Sequence, residues 1–338
     1  MSIHDRKVDH LDLTIKGMAS YEYSAGLDRF RLKHNALPEL NLSDVSTEVC
    51  LFGRTFAFPL FVSSMTGGTN KLGQINAQLA EVASELNIPI GLGSQRVMLE
   101  DKSSIQSFKI AREVAPKAFI GANIGGQQLL GVDSKTIIKK IIEPVKADAL
   151  IIHLNVLQEM MQPEGDNQFK GILGAISDVI KSVTIPVIVK ETGAGLSGQV
   201  VKRLYDIGTR AVDVAGSGGT SWAKVENLRS QNQSPKTIFN NWGIPTAQCL
   251  IEISDLQVKD LDVISSGGIR TSLDVLKSIA LGAKMGAMAQ PIIKVLHEQG
   301  QDGLKTCLES IQNELRIGML LLGVERVSKI NQQHIYIQ

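Results

Sequence analysis

The stretch DVISSGGIRTSLDVLKSIALGAKMGAMAQP, residues 262–291, decides the fold. Asp262 to Ser265 and Met285 to Met288 are short runs of buried-strand type, and Leu273 to Leu281 between them has the spacing of an amphipathic helix. A strand, a helical crossover and a second strand pair in parallel, because the crossover brings the chain back in the same direction. After each strand the chain turns polar: Ser266-Gly267-Gly268-Ile269-Arg270 after the first, Ala289-Gln290-Pro291 after the second.

The same unit recurs upstream. Pro59-Leu60-Phe61-Val62-Ser63 is the first buried run, followed by Pro89 to Leu92, Ala118 to Ala122, Ala149 to Leu154, Pro186 to Val189 and Ala211 to Val214. Helical patterns between them include Ile75 to Leu86 and Val200 to Ile207. About eight such units predict an α/β fold of TIM type, a closed (β/α)8 barrel rather than an open doubly wound sheet. Residues 59–338 are assigned to the barrel and residues 1–58 to an N-terminal extension, a single domain overall. From about Ser217 to Thr246 the chain is polar and rich in Asn and Gln, which predicts a long loop after the sixth strand.

With 338 residues, 43% of them hydrophobic, the chain is long enough for one large core. A formal charge of +1 argues against nucleic acid as the main partner, and 4% aromatic residues argue against a stacking platform for single strands. Anion binding must therefore be local. Cys50, Cys249 and Cys307 match no metal or redox spacing and read as reduced thiols. No apolar run reaches the ~18 residues of a membrane span, and the N-terminus lacks a signal-peptide core, so a soluble cytoplasmic protein is expected.

In a parallel barrel the chemistry sits where strands end. Those ends carry Ser64-Met65-Thr66-Gly67-Gly68-Thr69, Gly93-Ser94-Gln95-Arg96, Asn123-Ile124-Gly125-Gly126-Gln127 and His153-Leu154-Asn155. Gln158-Glu159, Gln162-Pro163-Glu164-Gly165-Asp166, Lys190-Glu191-Thr192-Gly193 and Gly216-Ser217-Gly218-Gly219-Thr220-Ser221-Trp222 follow. Glycines there let backbone N–H groups approach an oxyanion, and the helix starts behind them add partial positive charge. One glycine loop is a tight turn; seven or eight on one rim read as a mouth for phosphates. The loops after strands seven and eight are the usual phosphate site of such barrels, and Thr220 and Ser221 can join it.

Lys190 at a strand end is costly without a partner. Glu191 is its neighbour, but adjacent strand residues point to opposite faces, so a bound anion or polarised carbonyl is the expected partner. Glu159 is the candidate ligand for a divalent cation, since Mg²⁺ commonly takes one or two carboxylates plus substrate phosphates; Glu164 and Asp166 read as a solvated loop. Gly193-Ala194-Gly195-Leu196-Ser197-Gly198 fits the dinucleotide fingerprint, with Asp213 about 20 residues on. That spacing is also what successive barrel strands give, so the match is read as coincidental. At the N-terminus, His4-Asp5-Arg6-Lys7-Val8-Asp9-His10 mixes acids and bases and can fold over the mouth, although a solvated tail is the commoner fate of such ends.

Together these motifs closely resemble the type 2, flavin-dependent isopentenyl-diphosphate delta-isomerase family. The likeness runs from Arg6-Lys7-x-Asp9-His10 to Gly267-Gly268-Ile269-Arg270 and Ala289-Gln290-Pro291. Ser63-Ser64-Met65-Thr66-Gly67-Gly68, Gly93-Ser94-Gln95-Arg96, Gln162-Pro163-Glu164-Gly165-Asp166 and Gly218-Gly219-Thr220-Ser221-Trp222 are specific in combination. The resemblance implies a barrel that binds FMN and Mg²⁺ and interconverts isopentenyl and dimethylallyl diphosphate. It implies FMN against Ser64, Met65 and Thr66, its rings near Ser94, Asn123 and Lys190, and its phosphate end held by Thr220, Gly268, Ile269, Arg270, Ala289 and Gln290. It implies substrate contacts from Arg6, Lys7, His10, Ser94, Gln95, Arg96, Asn155 and Gln158, Mg²⁺ on Glu159, and help with proton movement from His153 and Gln158. NADPH as reductant and a homotetramer or homo-octamer complete what it implies.

Shifting a double bond requires a proton added at one carbon and another removed. A protein-only solution would use cysteine and glutamate, yet the three cysteines sit away from the strand ends. A cofactor is then expected to carry the difficult step. The competing reading is an FMN-dependent dehydrogenase or oxidase of the same barrel class. An IMP-dehydrogenase-like enzyme would need a loop cysteine, and a hydroxy-acid oxidase a late histidine beside Arg270; the chain has neither. A non-catalytic flavin-binding protein is the third reading, and the crowded polar rim argues against it.

Overall fold

A computed structural model describes residues 10, 12–131, 133–163, 165–229 and 236–338. Eight parallel strands close into a barrel in chain order. They are β1 Leu60–Val62, β2 Ile90–Gly91, β3 Ile120–Gly125, β4 Ala149–Leu154, β5 Val187–Glu191, β6 Ala211–Asp213, β7 Asp262–Ser265 and β8 Met285–Met288. Their residues are mostly buried on both faces, which is why they read as continuous apolar runs rather than alternating ones. Eight principal helices cover them: α1 Asn70–Glu85, α2 Gln106–Val114, α3 Ser134–Ile142, α4 Ile172–Ser182, α5 Gly198–Asp206, α6 Thr246–Asp255, α7 Ser272–Ala280 and α8 Gln290–Leu322. The (β/α)8 expectation holds, and the ranges of β4, β7 and β8 coincide with it.

Two expectations need correction. β3 runs on past Ala122 because Asn123, Ile124 and Gly125 pair with Ile151, Ile152 and His153 of β4. The polar stretch after β6 is not all loop: Trp222–Arg229 is a helix, and Thr237–Phe239 a 3₁₀ turn. Polar residues alternate with Trp222, Ala223 and Val225 around that helix, so it lacks the apolar stripe by which helices are recognised. α8 is broken at Gly300, whose φ is 70°.

The extension serves both ends of the barrel. At the mouth, Ser20 bridges Thr220, the Tyr21 N–H donates to Gly219 O at 3.0 Å, and the Ser221 N–H donates to Ala19 O at 2.7 Å. At the other end the hairpin Val49–Leu51 and Arg54–Phe56 reaches the turns that precede strands: the Ala57 N–H donates to Asn87 O, and Arg54 to Lys117 O. Phe52 and Phe56 pack on Phe119 there, at centroid distances of 6.0 and 5.4 Å. Among the described residues, no helix is long and apolar enough to cross a membrane.

Candidate active site

One cavity lies at the carboxyl ends of the strands, lined from all eight βα connections and from His10 and Thr14 of the extension. At the end of β1, Ser63, Ser64, Met65 and Thr66 form part of its wall. The hydroxyls of Ser63 and Ser64 are buried there without a hydrogen-bond partner among the described residues. The loop after β2 packs against this segment backbone to backbone: the Gly93 N–H donates to Thr66 O, and a Cβ on Gly93 would stand 2.5 Å from Thr66. Ser94 and Arg96 reach the cavity from that loop. Gln95 does not; it is fully buried, donating to Ile141 O at 3.0 Å and accepting the Asn123 N–H at 2.9 Å. Its expected contact with substrate gives way to a role in joining β2 to β3.

Asn123 and His153 line the cavity from neighbouring strands. Asn123 donates through Nδ2 to Leu92 O at 3.0 Å, which turns its Oδ1 towards His153 Nδ1 at 2.7 Å. An amide oxygen only accepts, so His153 carries a proton on Nδ1.

Beyond β4 the chain forms a short helix, Val156–Met161, that carries Gln158 and Glu159. Glu159 is buried, accepting from Asn155 Nδ2 at 2.9 Å and from the Asp166 N–H at 2.8 Å. Gly165 makes this fold-back possible, since a Cβ there would meet Glu159 O. Gln158 donates to Glu226 at 3.0 Å, Gln162 donates to the same oxygen at 2.9 Å, and His10 Nε2 lies 2.9 Å from it. Arg229 pairs with the other oxygen. Burial pushes the Glu226 carboxyl up, but the hydrogen bond and charge of His10, with Gln158 and Arg229, outweigh it and hold the group at about 2. Sequence reasoning missed Glu226. The available signal was its spacing of four residues from Trp222, which places both on one helix face; Trp222 lines the cavity and meets the His10 ring edge-on at 5.0 Å.

Lys190 lines the cavity from β5, with its ammonium 3.8 Å from the Asp213 carboxylate. The partner expected from a bound molecule is thus supplied in part by the chain. Glu191 turns the other way, as adjacent strand residues must, and its Oε2 accepts the N–H groups of Thr192, Gly193, Ala194 and Gly195. The apparent dinucleotide fingerprint at 193–198 therefore has an internal carboxylate where a phosphate would lie.

Opposite, the loops after β6 and β7 meet through glycines. A Cβ on Gly267 would stand 2.0 Å from Gly216 O, and one on Gly219 2.6 Å from Gly268 N. Thr220, Gly268, Ile269 and Arg270 line the wall here, and Ala289 and Gln290 bring the start of α8 to it. Such a helix start beside a glycine cradle suits a phosphate. The donor hydroxyls left over at Ser63 and Ser64 suit the polar edge of a ring system, so the residues present fit FMN. Arg6, Lys7 and Glu164 lie outside the described residues.

A glycine cradle at the mouth after the seventh and eighth strands is the general phosphate site of (β/α)8 barrels, and the FMN-dependent dehydrogenase family model, matching residues 132–337, makes this one of the flavin-dependent class. The chain is 40% identical to the isopentenyl-diphosphate delta-isomerase of Chlorobium limicola, covering 99% of this chain and 96% of that one. It is 43% identical to that of Ignicoccus hospitalis (96% and 91% covered) and 39% identical to that of Methanopyrus kandleri (97% and 90%). The chain belongs to the isopentenyl-diphosphate delta-isomerase family. Among solved structures, mandelate oxidase with (S)-2-phenylpropionate superposes with a TM-score of 0.68 at 20% identity, covering 100% of this chain and 98% of that one; that likeness is one of fold.

Proposed function

We propose that this cavity interconverts isopentenyl and dimethylallyl diphosphate, in isoprenoid synthesis, with FMN as resident cofactor. What supports the reading is one cavity that joins a backbone cradle for a phosphate, at Gly268 to Arg270 and Ala289-Gln290, to a second polar rim carrying Arg96, His153, Asn155, Gln158 and Glu159. Ser64, Met65, Thr66, Ser94, Asn123 and Lys190 would hold the ring system, and Thr220 with the cradle the phosphate end. When bound in its reduced form, FMN supplies a group at the alkene face that can give and take back a proton, so the net reaction is redox-neutral.

The chain's own part is binding, orientation and exclusion of water. Arg96, Ser94, Asn155, Gln158 and His10, joined by Arg6 and Lys7, grip the diphosphate, whose binding energy holds the apolar tail in place. Trp222 and Met65 supply apolar wall around it. Glu159 offers one carboxylate, and among the described residues no group of three His, Cys, Asp or Glu could hold a metal alone. That donor set fits Mg²⁺ shared with a diphosphate. His153, held through Nδ1 by Asn123, and Gln158 both line the cavity and are the side chains proposed to assist proton movement. Cysteine chemistry has no place here: burial pushes Cys249 up to about 12, and neither Cys50 nor Cys307 lines the cavity.

NADPH is the proposed reductant that keeps the flavin competent. Exposed Ile238 and Trp242 near the mouth, with Ile317 and Leu321 on α8, are surfaces that a homotetramer or homo-octamer would cover. Three free thiols suit the reducing cytoplasm.

The test is isopentenyl diphosphate offered in D₂O to protein loaded with reduced FMN. Deuterated dimethylallyl diphosphate is expected, with none from FMN-stripped protein. Equal conversion by stripped protein, or consumption of O₂ in step with substrate, would overturn the reading.

A further inference from the structure

Lys190 and Asp213 are register partners at the mouth ends of β5 and β6. Both are buried, at 9% and 5% exposure, and the ammonium lies 3.8 Å from Asp213 Oδ2. Lys190 also donates to the carbonyl of Glu191. Asp213 is held from its other side, its Oδ1 accepting from Ser266 Oγ at 2.5 Å and from the Ala215 N–H at 3.2 Å. Lys190 lines the cavity, whereas Asp213 stands behind it.

No neighbour replaces Asp213. The Glu191 carboxylate is turned into its own loop. His153, the partner of Lys190 on β4, is committed through Nδ1 to Asn123. Among the described residues, Asp213 is the carboxylate within ion-pair distance of Lys190. A buried ammonium is costly to hold without a counter-charge, so removing Asp213 removes what fixes Lys190 in place.

We propose that Asp213 is a positioning residue: its ion pair holds the Lys190 ammonium on the cavity wall, so that the site favours the electron-rich reduced form of FMN. This rests on the reading that FMN occupies the cavity. The direction of the effect separates it from simple electrostatics. A bare carboxylate near a flavin disfavours reduction, whereas a carboxylate that holds an intervening ammonium in place favours it.

Asp213→Asn removes the charge while keeping an oxygen for Ser266 and Ala215. Oxidised and reduced FMN are titrated against each protein, and the potential of bound FMN is read by spectroelectrochemistry. The variant should lose about tenfold of the wild-type preference for reduced FMN, a fall of about 30 mV for a two-electron couple. An unchanged preference, or a stronger hold on reduced FMN, overturns the role. Lys190→Met tests the same point with Asp213 intact: a loss of the same sign is expected, and no change or a gain overturns it. Wild type that takes up no FMN would overturn the cofactor reading itself. Wild type that binds FMN, beside variants with unshifted potentials, overturns Asp213 alone.

Discussion

His153 Nδ1 stands 2.7 Å from Asn123 Oδ1, and the other end of the same amide is tied to Leu92 O. Three strand ends thereby fix which nitrogen of one imidazole bears a proton. Asn123→Ala cuts this tie and leaves the buried Leu92 carbonyl without its donor. We expect kcat/KM to fall by about 10- to 100-fold, corresponding to the roughly 1.5–3 kcal/mol of a buried hydrogen-bond pair. His153→Ala should cost a similar amount, and the double variant little more than the worse single one. Steady-state kinetics on the four proteins checks this; fully additive losses would show that the two side chains act independently.

Glu226 ties the extension to the rim of the barrel through His10, Gln158, Gln162 and Arg229. Its carboxyl lies at about 2, below an ordinary value of 4.5. A depressed value adds stability that is full above the ordinary value and lost as pH falls through the folded one. At about 1.4 kcal/mol per pH unit, the window is on the order of 3 kcal/mol. Glu226→Gln should lose a comparable amount at pH 7, because Arg229 is left buried beside a neutral amide. Urea unfolding followed from pH 5 to 2 should show wild type losing its margin over the variant as the pH drops. A constant difference across that range would be the contrary result.

The barrel was legible because its strands are buried on both faces and its helices on one, patterns that need no tertiary knowledge. The rim was legible for a related reason: a parallel barrel puts every strand end on one side, so Ser64, Asn123, His153 and Lys190 converge by topology. What escaped were residues placed by long-range packing. Glu226 sits on a helix without an apolar stripe, 68 residues from Gln158. Asp213 was hidden inside an apparent fingerprint. Gln95 sat between two lining residues, Ser94 and Arg96, and alternation of side chains along an extended segment was the clue that it faces the other way.

Gly267 and Gly282 have similar φ values, 96° and 103°, but different surroundings. A Cβ on Gly267 would stand 2.0 Å from Gly216 O, while one on Gly282 meets nothing within 4 Å. Gly282→Ala therefore costs the left-handed strain alone, about 1–2 kcal/mol. Gly267→Ala adds a backbone collision in the proposed phosphate cradle, for a total on the order of 4 kcal/mol. Thermal unfolding should rank the two in that order, and FMN titration should show weakened binding for Gly267→Ala alone. Equal FMN affinity in both variants would remove this cradle as the phosphate site.

Glu159 carries the proposed metal role, and among the described residues no group of three His, Cys, Asp or Glu could hold a metal alone, so its aim matters more than its charge count. Asn155 Nδ2 and the Asp166 N–H each engage one of its oxygens, which fixes the side chain and leaves lone pairs for a cation. Partners that orient a ligand typically account for 10- to 100-fold in metal affinity. Asn155→Ala should therefore raise the half-saturating Mg²⁺ concentration by about that factor, and Glu159→Gln by more, because the ligand itself loses its charge. FMN affinity should stay within about twofold of wild type in both variants, since neither residue is proposed to hold the flavin. Activity titrated with Mg²⁺, together with direct binding of Mn²⁺ in the presence of substrate, separates metal loss from cofactor loss. A Glu159→Gln protein with the wild-type metal response would place the cation elsewhere on the rim.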